Sequence, residues 1–197
     1  RLVGSEMCIR DRGCTLMDGN FHFVMLDFYL KHTGCDYYWL IEYDVRFNGD
    51  WKNYFEFFAD KDDDFISAHI GDFSGDTRWT RWKEIELVNI KLNHKMLLRS
   101  FNPICRISNR ALALGHERCK LGDRGHYEVL LPTLFKYFEL KISDFGGHGK
   151  YIYKDRPGLF YTDDPDDECP DKCTHRYRPT HTEKSMALPD MIYHPVK

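Results

Sequence analysis

The sequence lacks several features that would place it in a familiar class of protein. No apolar run approaches the roughly 20 residues that a membrane helix needs. The net charge of −3 supplies no basic field for binding nucleic acid or anionic lipid. There is no Gly-x-Ser-x-Gly elbow, P-loop or Gly-x-Gly-x-x-Gly fingerprint. These absences leave a nucleic-acid-binding protein, a serine hydrolase, an NTPase and a dinucleotide-dependent enzyme without support.

The composition is that of a folded domain with an excess of aromatic residues. The 197 residues are 42% apolar and 30% charged, which suits one globular domain of ordinary size. The chain has 14 Phe, 12 Tyr and 4 Trp. Aromatic residues at this level suit a large core, and they also suit a site that stacks on flat or sugar-like ligands.

The first twelve residues read RLVGSEMCIRDR, which resembles the conceptual translation of a sequencing adapter. We therefore treat residues 1–12 as an artefact and exclude them from fold reasoning. On this interpretation the natural protein begins upstream and the chain is a C-terminal fragment, with any membrane anchor in the missing part. We expect a partial catalytic domain over residues 13–155 and an irregular tail, residues 156–197, packed on the same domain.

Six cysteines remain after this exclusion: Cys14, Cys35, Cys105, Cys119, Cys169 and Cys173. An even number permits disulfides, and Cys169 and Cys173 could pair with each other or with an earlier cysteine. These two could also bind zinc with His175 and His181, but the spacing fits no common zinc knuckle. Cysteine usage therefore leaves open an oxidising lumen and a reducing cytosol.

Alternating helix and strand patterns predict an α/β fold, a mostly parallel mixed sheet with flanking helices. A largely buried helix is expected over Asn20–His32, and residues 71–99 are expected to be mostly loop. The other expected helices are 51–59, capped by Asp50, 109–121, capped by Ser108 and closed by Gly122, and 127–138; the expected strands are 37–41, 65–70, 103–107 and 140–142.

The strongest chemical signal is Glu42-x-Asp44, which follows the buried strand 37–41. Carboxylates two residues apart project to the same side of an extended chain. Open α/β sheets place ligands at such strand ends, and hard oxygen donors suit Mg²⁺ or Mn²⁺. The alternative is a solvated turn. The other acidic run, Asp62–Asp64, precedes a strand and is expected to be a solvated loop.

The segment Trp39-Leu-Ile-Glu42-Tyr-Asp44-Val-Arg46-Phe-x-Gly49-x-Trp51 resembles the acidic metal-binding motif of nucleotide-sugar-dependent glycosyltransferases with the GT-A fold. The first acid here is Glu where the family pattern has Asp. The resemblance implies a GT-A-like fold, incomplete at the N-terminus. It also implies that Glu42 and Asp44 bind Mn²⁺ or Mg²⁺ and, through the ion, the diphosphate of the sugar donor.

The second motif is Gly125-His126-Tyr127-Glu128, a turn that opens a helix. Backbone N–H groups and the helix dipole favour an anion or an acceptor hydroxyl at such a position. The resemblance implies that Glu128 deprotonates the acceptor hydroxyl in an inverting reaction. The alternative is that Glu128 only stabilises the helix N-terminus by its charge.

The resemblance also implies a late histidine ligand for the metal, for which His194 is the first candidate and His148 the second. Arg106 could reach a phosphate or form a surface ion pair. Trp79 and Trp82 could form a sugar platform or fill the core. Asp144, before two glycines, could lie beside a ligand or in a plain turn. The predicted substrate-binding residues are Trp79, Trp82, Arg106, His126 and Tyr127.

The sequence thus predicts a metal-assisted glycosyltransferase that moves a sugar from a nucleotide sugar to a hydroxyl of a glycan or other acceptor. Two alternatives stay open: a non-catalytic carbohydrate-binding module and a metal-dependent phosphoester hydrolase. A transferase needs Glu42, Asp44 and Glu128 in one cleft, whereas a hydrolase needs a further acid or histidine for a second metal. We expect the fragment alone to be inactive, and the compartment to be the Golgi lumen in a eukaryote or the cytoplasm in a bacterium.

Overall fold

A computed structural model describes residues 19–153, 156–163 and 172–197. None of the helices in these ranges has the length and hydropathy of a membrane-spanning segment. The elements in chain order are α1 (His22–Lys31), β1 (Tyr37–Ile41), β2 (Arg46–Phe47), α2 (Trp51–Phe57), β3 (Phe65–Asp72), β4 (Ile85–Glu86), β5 (Leu98–Ser108), α3 (Asn109–Leu121), β6 (Arg124–Gly125), α4 (Tyr127–Tyr137), β7 (Ile142–Asp144) and β8 (Ile192–Tyr193). The fold is α/β, as predicted.

The central sheet has four strands in the order β1-β5-β3-β7. Strand β5 is antiparallel to both β1 and β3, and β7 is parallel to β3. Three strands therefore run in one direction and β5 opposes them, which confirms a mixed sheet. Two small sheets, β2 with β8 and β4 with β6, lie beside it.

Each face of the central sheet carries its own hydrophobic cluster, because successive side chains of a strand point to opposite faces. On one face Phe65 and Ile107 pack with helices α1, α3 and α4. On the other face Ile66 and Ile104 pack with α2, whose Tyr54 is fully buried. The helices flank both faces, as the sequence pattern predicts.

Several elements differ from the sequence-based expectation, including the short strands β2, β4, β6 and β8, which were not predicted. Strand β5 begins at Leu98, well before the predicted start at Pro103. A proline suggests a strand boundary because it cannot donate a hydrogen bond to the ladder. Strand β7 lies two residues later than predicted. Helix α1 is only half buried, since Val24 and Phe28 on its outer face are exposed.

The acidic run before β3 is not a solvated loop, because Asp63 and Asp64 are both buried. Asp64 accepts hydrogen bonds from Arg110 at 2.5 Å and from the Ser108 hydroxyl at 2.7 Å. Asp63 accepts one from the Ser143 hydroxyl at 2.5 Å. Both carboxyl groups therefore join neighbouring elements, and the expectation of a solvated loop was wrong for these two residues.

The described part of the C-terminal tail packs on the same body and is not wholly irregular. Strand β8 pairs with β2, and its Ile192 is fully buried. A short 3-10 helix, Glu183–Ser185, precedes it. This pairing carries the residues after Tyr193 back to the end of β1.

The N-cap of α3 gives a testable estimate of local stability. The Ser108 hydroxyl accepts a hydrogen bond from the Ala111 N–H and donates one to Asp64. We expect Ser108→Ala to lower the free energy of unfolding by about 1–2 kcal/mol, since it removes the cap and one donor to a buried carboxyl. Denaturant unfolding would measure this, with the exposed Ser74→Ala as the control. Equal stability of the two variants would contradict the assigned cap.

Candidate functional site

The acidic motif is fixed at the end of β1 by backbone hydrogen bonds. The Glu42 N–H donates to the Pro103 carbonyl at 2.7 Å, which extends the β1–β5 pairing by one residue. The Val45 N–H donates to the Glu42 carbonyl at 3.1 Å and closes a turn. The Asp44 carbonyl accepts from the Val196 N–H at 2.9 Å. The two carboxylates are therefore held beside the C-terminal tail.

Glu42, Asp44 and His194 form a group that could hold a metal ion, with one ligand atom of each within 4.8 Å of the others. The His194 Nε2 atom lies 3.5 Å from Asp44 Oδ1 and 3.8 Å from Glu42 Oε2. The pairing of β2 with β8 explains the approach, because β2 starts two residues after Asp44 and β8 ends one residue before His194.

The orientation of His194 suits a metal ligand. Its Nδ1 atom lies 2.8 Å from the Arg176 carbonyl, to which it can only donate. The proton is then on Nδ1, and the Nε2 lone pair faces the two carboxylates, as in many metal-binding histidines. Burial lowers the pKa of His194, which favours the neutral imidazole that a metal requires.

The electrostatics of the group also fit a divalent cation. Asp44 Oδ1 is buried and has no hydrogen-bond partner among the described residues. Burial, with the adjacent charge of Asp44, raises the pKa of Glu42. A cation would relieve both the repulsion and the unsatisfied oxygen. Two carboxylate oxygens with one imidazole nitrogen suit Mn²⁺, and Mg²⁺ is compatible with the oxygen donors.

Glu128 lies in the first turn of α4, where His126 is the N-cap and accepts the Glu128 N–H at 3.3 Å. Burial raises the pKa of Glu128 to about 7; a backbone hydrogen bond from Asn102 opposes this rise, and the charge of Glu42 adds to it. The adjacent Tyr127 hydroxyl donates to Glu42 Oε1 at 3.4 Å. The start of α4 therefore faces the carboxylate group.

These residues line one cleft with a volume of about 690 Å³. The predicted site residues that the structure brings together there are Glu42, Asp44, Trp79, His126, Tyr127, Glu128 and His194. Sequence reasoning missed Arg81, Phe101, Tyr177, Arg178 and Lys197, which also line it. The sequence held one signal for Lys197: it follows the candidate ligand His194 by three residues, so it must lie near that histidine.

Two predicted substrate-binding residues lie outside the cleft lining. Trp82 is buried among Leu97 and Val129, and its indole N–H donates to the Asp76 carbonyl at 2.7 Å. It fills the core, which was one of its two predicted roles. The interpretation of Trp82 as part of a sugar platform is therefore corrected.

Arg106 is the second of these residues, and it is almost fully buried. It lies opposite Trp39 in the β1–β5 ladder. Trp39 precedes Glu42 by three residues. Its guanidinium donates to the Phe58 carbonyl at 2.6 Å and to the Lys61 carbonyl at 2.7 Å. It therefore anchors the loop after α2, and both the phosphate contact and the surface ion pair are corrected.

The remaining candidates are also placed elsewhere. His148 is half exposed and pairs with Asp163, and it belongs neither to the metal-binding group nor to the cleft lining. Asp144 is buried and accepts hydrogen bonds from the Ile70 N–H at 2.9 Å and the Tyr161 hydroxyl at 3.0 Å. Burial raises the pKa of Asp144 to about 8. It is a structural carboxyl group of the core.

The structure tests only some of the predictions about the cysteines. Cys14 and Cys169 lie outside the described residues, as does any disulfide that they form. In the described part of the chain, Glu42, Asp44 and His194 are the one group of metal-binding character, and His175 and His181 are not part of it.

His175 presents a buried imidazole whose two nitrogens have no hydrogen-bond partner among the described residues. Its ring packs against Phe101 at 5.0 Å and Tyr161 at 5.6 Å between centroids, and burial keeps its pKa well below the usual value. We expect His175→Phe to raise the melting temperature by about 2–8 °C. The change removes two buried nitrogens that have no hydrogen bond, and burying them costs roughly 1–2 kcal/mol. Calorimetry would measure this; a lower melting temperature would mean that a ring nitrogen has a partner.

Comparisons of the chain with protein-family models, curated proteins and solved structures found no match. The functional argument therefore depends on the cleft itself. The fold and the cleft define an α/β protein with a carboxylate–histidine group at a strand end and a buried carboxyl group, Glu128, at a helix start.

Proposed function

We propose that this protein is a metal-assisted glycosyltransferase that moves a sugar from a nucleotide sugar to a hydroxyl acceptor with inversion of configuration. The observation that carries the proposal is that Glu42, Asp44, His194 and Glu128 line a single cleft. We expect such an enzyme in the Golgi lumen of a eukaryote or the cytoplasm of a bacterium.

In this proposal Glu42, Asp44 and His194 hold a divalent cation, Mn²⁺ or Mg²⁺. When bound, the ion supplies charge neutralisation for the donor's phosphates and for the leaving diphosphate. His194 keeps its Nδ1 proton on the Arg176 carbonyl, so its Nε2 atom remains available as a ligand. The acidic pair thereby positions the donor at the end of β1.

Glu128 acts as the general base of the reaction. Its carboxylate accepts the proton of the acceptor hydroxyl, the freed oxygen bonds to the anomeric carbon, and the bond from that carbon to the diphosphate oxygen breaks. A pKa of about 7 leaves a substantial fraction of Glu128 ionised near neutral pH while keeping it basic enough to accept a proton. Attack from the face opposite the leaving group inverts the configuration.

The acceptor is expected to lie against the wall formed by Trp79 and His126, beside Glu128. The Trp79 indole is backed by the Arg99 guanidinium, 5.9 Å from the ring centroid. This contact holds the indole in place as a flat apolar surface, which suits one face of a sugar ring.

The two alternatives have weaker support in the cleft. A two-metal phosphoester hydrolase needs a second ligand group with its ion about 4 Å from the first. The described residues contain one such group. A carbohydrate-binding module would need the aromatic residues but gives no reason for three acids to converge beside a histidine. The convergence of Glu42, Asp44 and Glu128 favours the transferase.

The test is a donor screen on the full-length natural chain. A panel of nucleotide sugars would be incubated with mixed glycan acceptors and Mn²⁺, and the release of nucleoside diphosphate measured. We expect release that a chelator abolishes and that E42Q/D44N lacks. Cleavage of simple phosphoesters instead would favour the hydrolase, and sugar binding without any turnover would favour the binding module.

A further inference from the structure

The cleft wall that supplies His194 also carries two cations, Arg178 and Lys197. Both side chains belong to exposed residues at the mouth of the cleft. They come from the same C-terminal segment as the histidine. Neither has a role in the mechanism proposed above.

Backbone contacts fix both residues beside the metal group. The Val196 N–H donates to the Asp44 carbonyl at 2.9 Å, and Lys197 is the next residue. The Arg176 N–H donates to the His194 carbonyl at 3.1 Å, and Arg178 follows two residues later. Arg178 is close enough for its charge to act on the His194 imidazole.

Arg178 and Lys197 have no carboxylate partner in the described part of the chain. Arg178 contacts the Thr180 hydroxyl at 3.2 Å and lies over the Tyr177 ring, and both groups are neutral. Other arginines are paired with an acid: Arg81 with Glu84, Arg99 with Asp76, Arg110 with Asp64, Arg118 with Asp123 and Arg124 with Glu86. Among the described residues, the side chains of the two cations at the cleft mouth therefore have no acidic side chain paired with them.

The charges of the cleft identify the ligand that these cations suit. A divalent cation balances the two negative charges of Glu42 and Asp44. Arg81 in the same lining is paired with Glu84, so Arg178 and Lys197 outweigh the one remaining carboxyl group, Glu128. A diphosphate diester carries two negative charges, and guanidinium and ammonium groups both bind phosphate oxygens directly. A neutral sugar has no group of matching charge.

We propose that Arg178 and Lys197 form a diphosphate-binding site on the C-terminal wall of the cleft, which contacts the phosphate oxygens directly and not through the metal. The identification of the anion as the donor's diphosphate rests on the proposed function. The binding of an anion by the two cations does not depend on the proposed function.

The experiment separates these cations from the metal. The E42Q/D44N chain, which lacks the acidic ligands, is titrated with pyrophosphate by calorimetry in the presence of a chelator. We expect it to bind pyrophosphate without metal, and we expect R178Q/K197Q in the same background to weaken binding at least about tenfold. R156Q/K184Q, which removes one exposed arginine and one exposed lysine elsewhere, is the matched control and should not change affinity.

Three results would overturn the site: no pyrophosphate binding by an E42Q/D44N chain with an intact unfolding transition, equal binding after R178Q/K197Q, or equally tight binding of sulfate. The unfolding transition of each variant checks that it is folded. If pyrophosphate binds as expected but the full-length chain turns over no nucleotide sugar, the anion site stands and the proposed function fails.

Discussion

The Asp44→Asn variant is expected to lose at least about 100-fold in affinity for Mn²⁺, more than the loss of an outer-shell partner costs a metal site. Asp44 Oδ1 lies 3.5 Å from His194 Nε2 and is buried without a hydrogen-bond partner, so the ligand group depends on its charge. Calorimetric titration with Mn²⁺ would measure the affinity. Asp60→Asn, the same chemical change at an exposed position, is the control.

The same variant has an opposite effect on the metal-free protein. Burial raises the pKa of Glu42, and the charge of Asp44 adds to this rise. Replacing Asp44 with a neutral amide removes that repulsion. We therefore expect the metal-free Asp44→Asn protein to melt at the same temperature as the parent or higher. A residue kept for structure would show lower stability instead. Unchanged Mn²⁺ affinity would remove the basis of the metal centre.

The Glu128→Gln variant is expected to lower kcat for sugar transfer by about 10²–10⁴-fold, with little change in KM. The amide cannot accept the proton of the acceptor hydroxyl, but it keeps the size of the side chain. Steady-state kinetics on the full-length chain would measure this. Mn²⁺ affinity should stay within about twofold of the parent, because the metal ligands are retained.

The pH profile links this effect to the carboxyl group itself. Burial raises the pKa of Glu128 to about 7, so the protonated form predominates below that pH and cannot act as a base. We expect kcat to rise with pH, to reach half its maximum near pH 7 and to level off above that, and we expect this rise to be absent in Glu128→Gln. Glu117→Gln, on the exposed face of α3, should keep the parent profile. A profile of parent shape in Glu128→Gln would assign the base elsewhere.

Local sequence signals predicted much of the fold because they depend on residues close together in the chain. The helix capped by Ser108 and closed by Gly122 has the predicted bounds, since a side-chain N-cap and a left-handed glycine are local features. Strand β1 likewise has the predicted bounds. The β5 boundary was missed because the pairing of Leu98 with Asp72 involves a strand distant in the sequence.

Local patterns are enough to predict the α/β class, the helix caps and the position of Glu42-x-Asp44 at a strand end, because periodicity and hydrogen bonding within a few residues decide these features. Which polar groups lie together depends instead on contacts between segments that are distant in the chain. The β2–β8 pairing brings His194 to Asp44 and places Arg178 and Lys197 beside them. Packing between distant segments buries Arg106 under the loop after α2 instead of in the cleft. Burial and charge pairing depend on neighbours in space, and local pattern does not specify those neighbours.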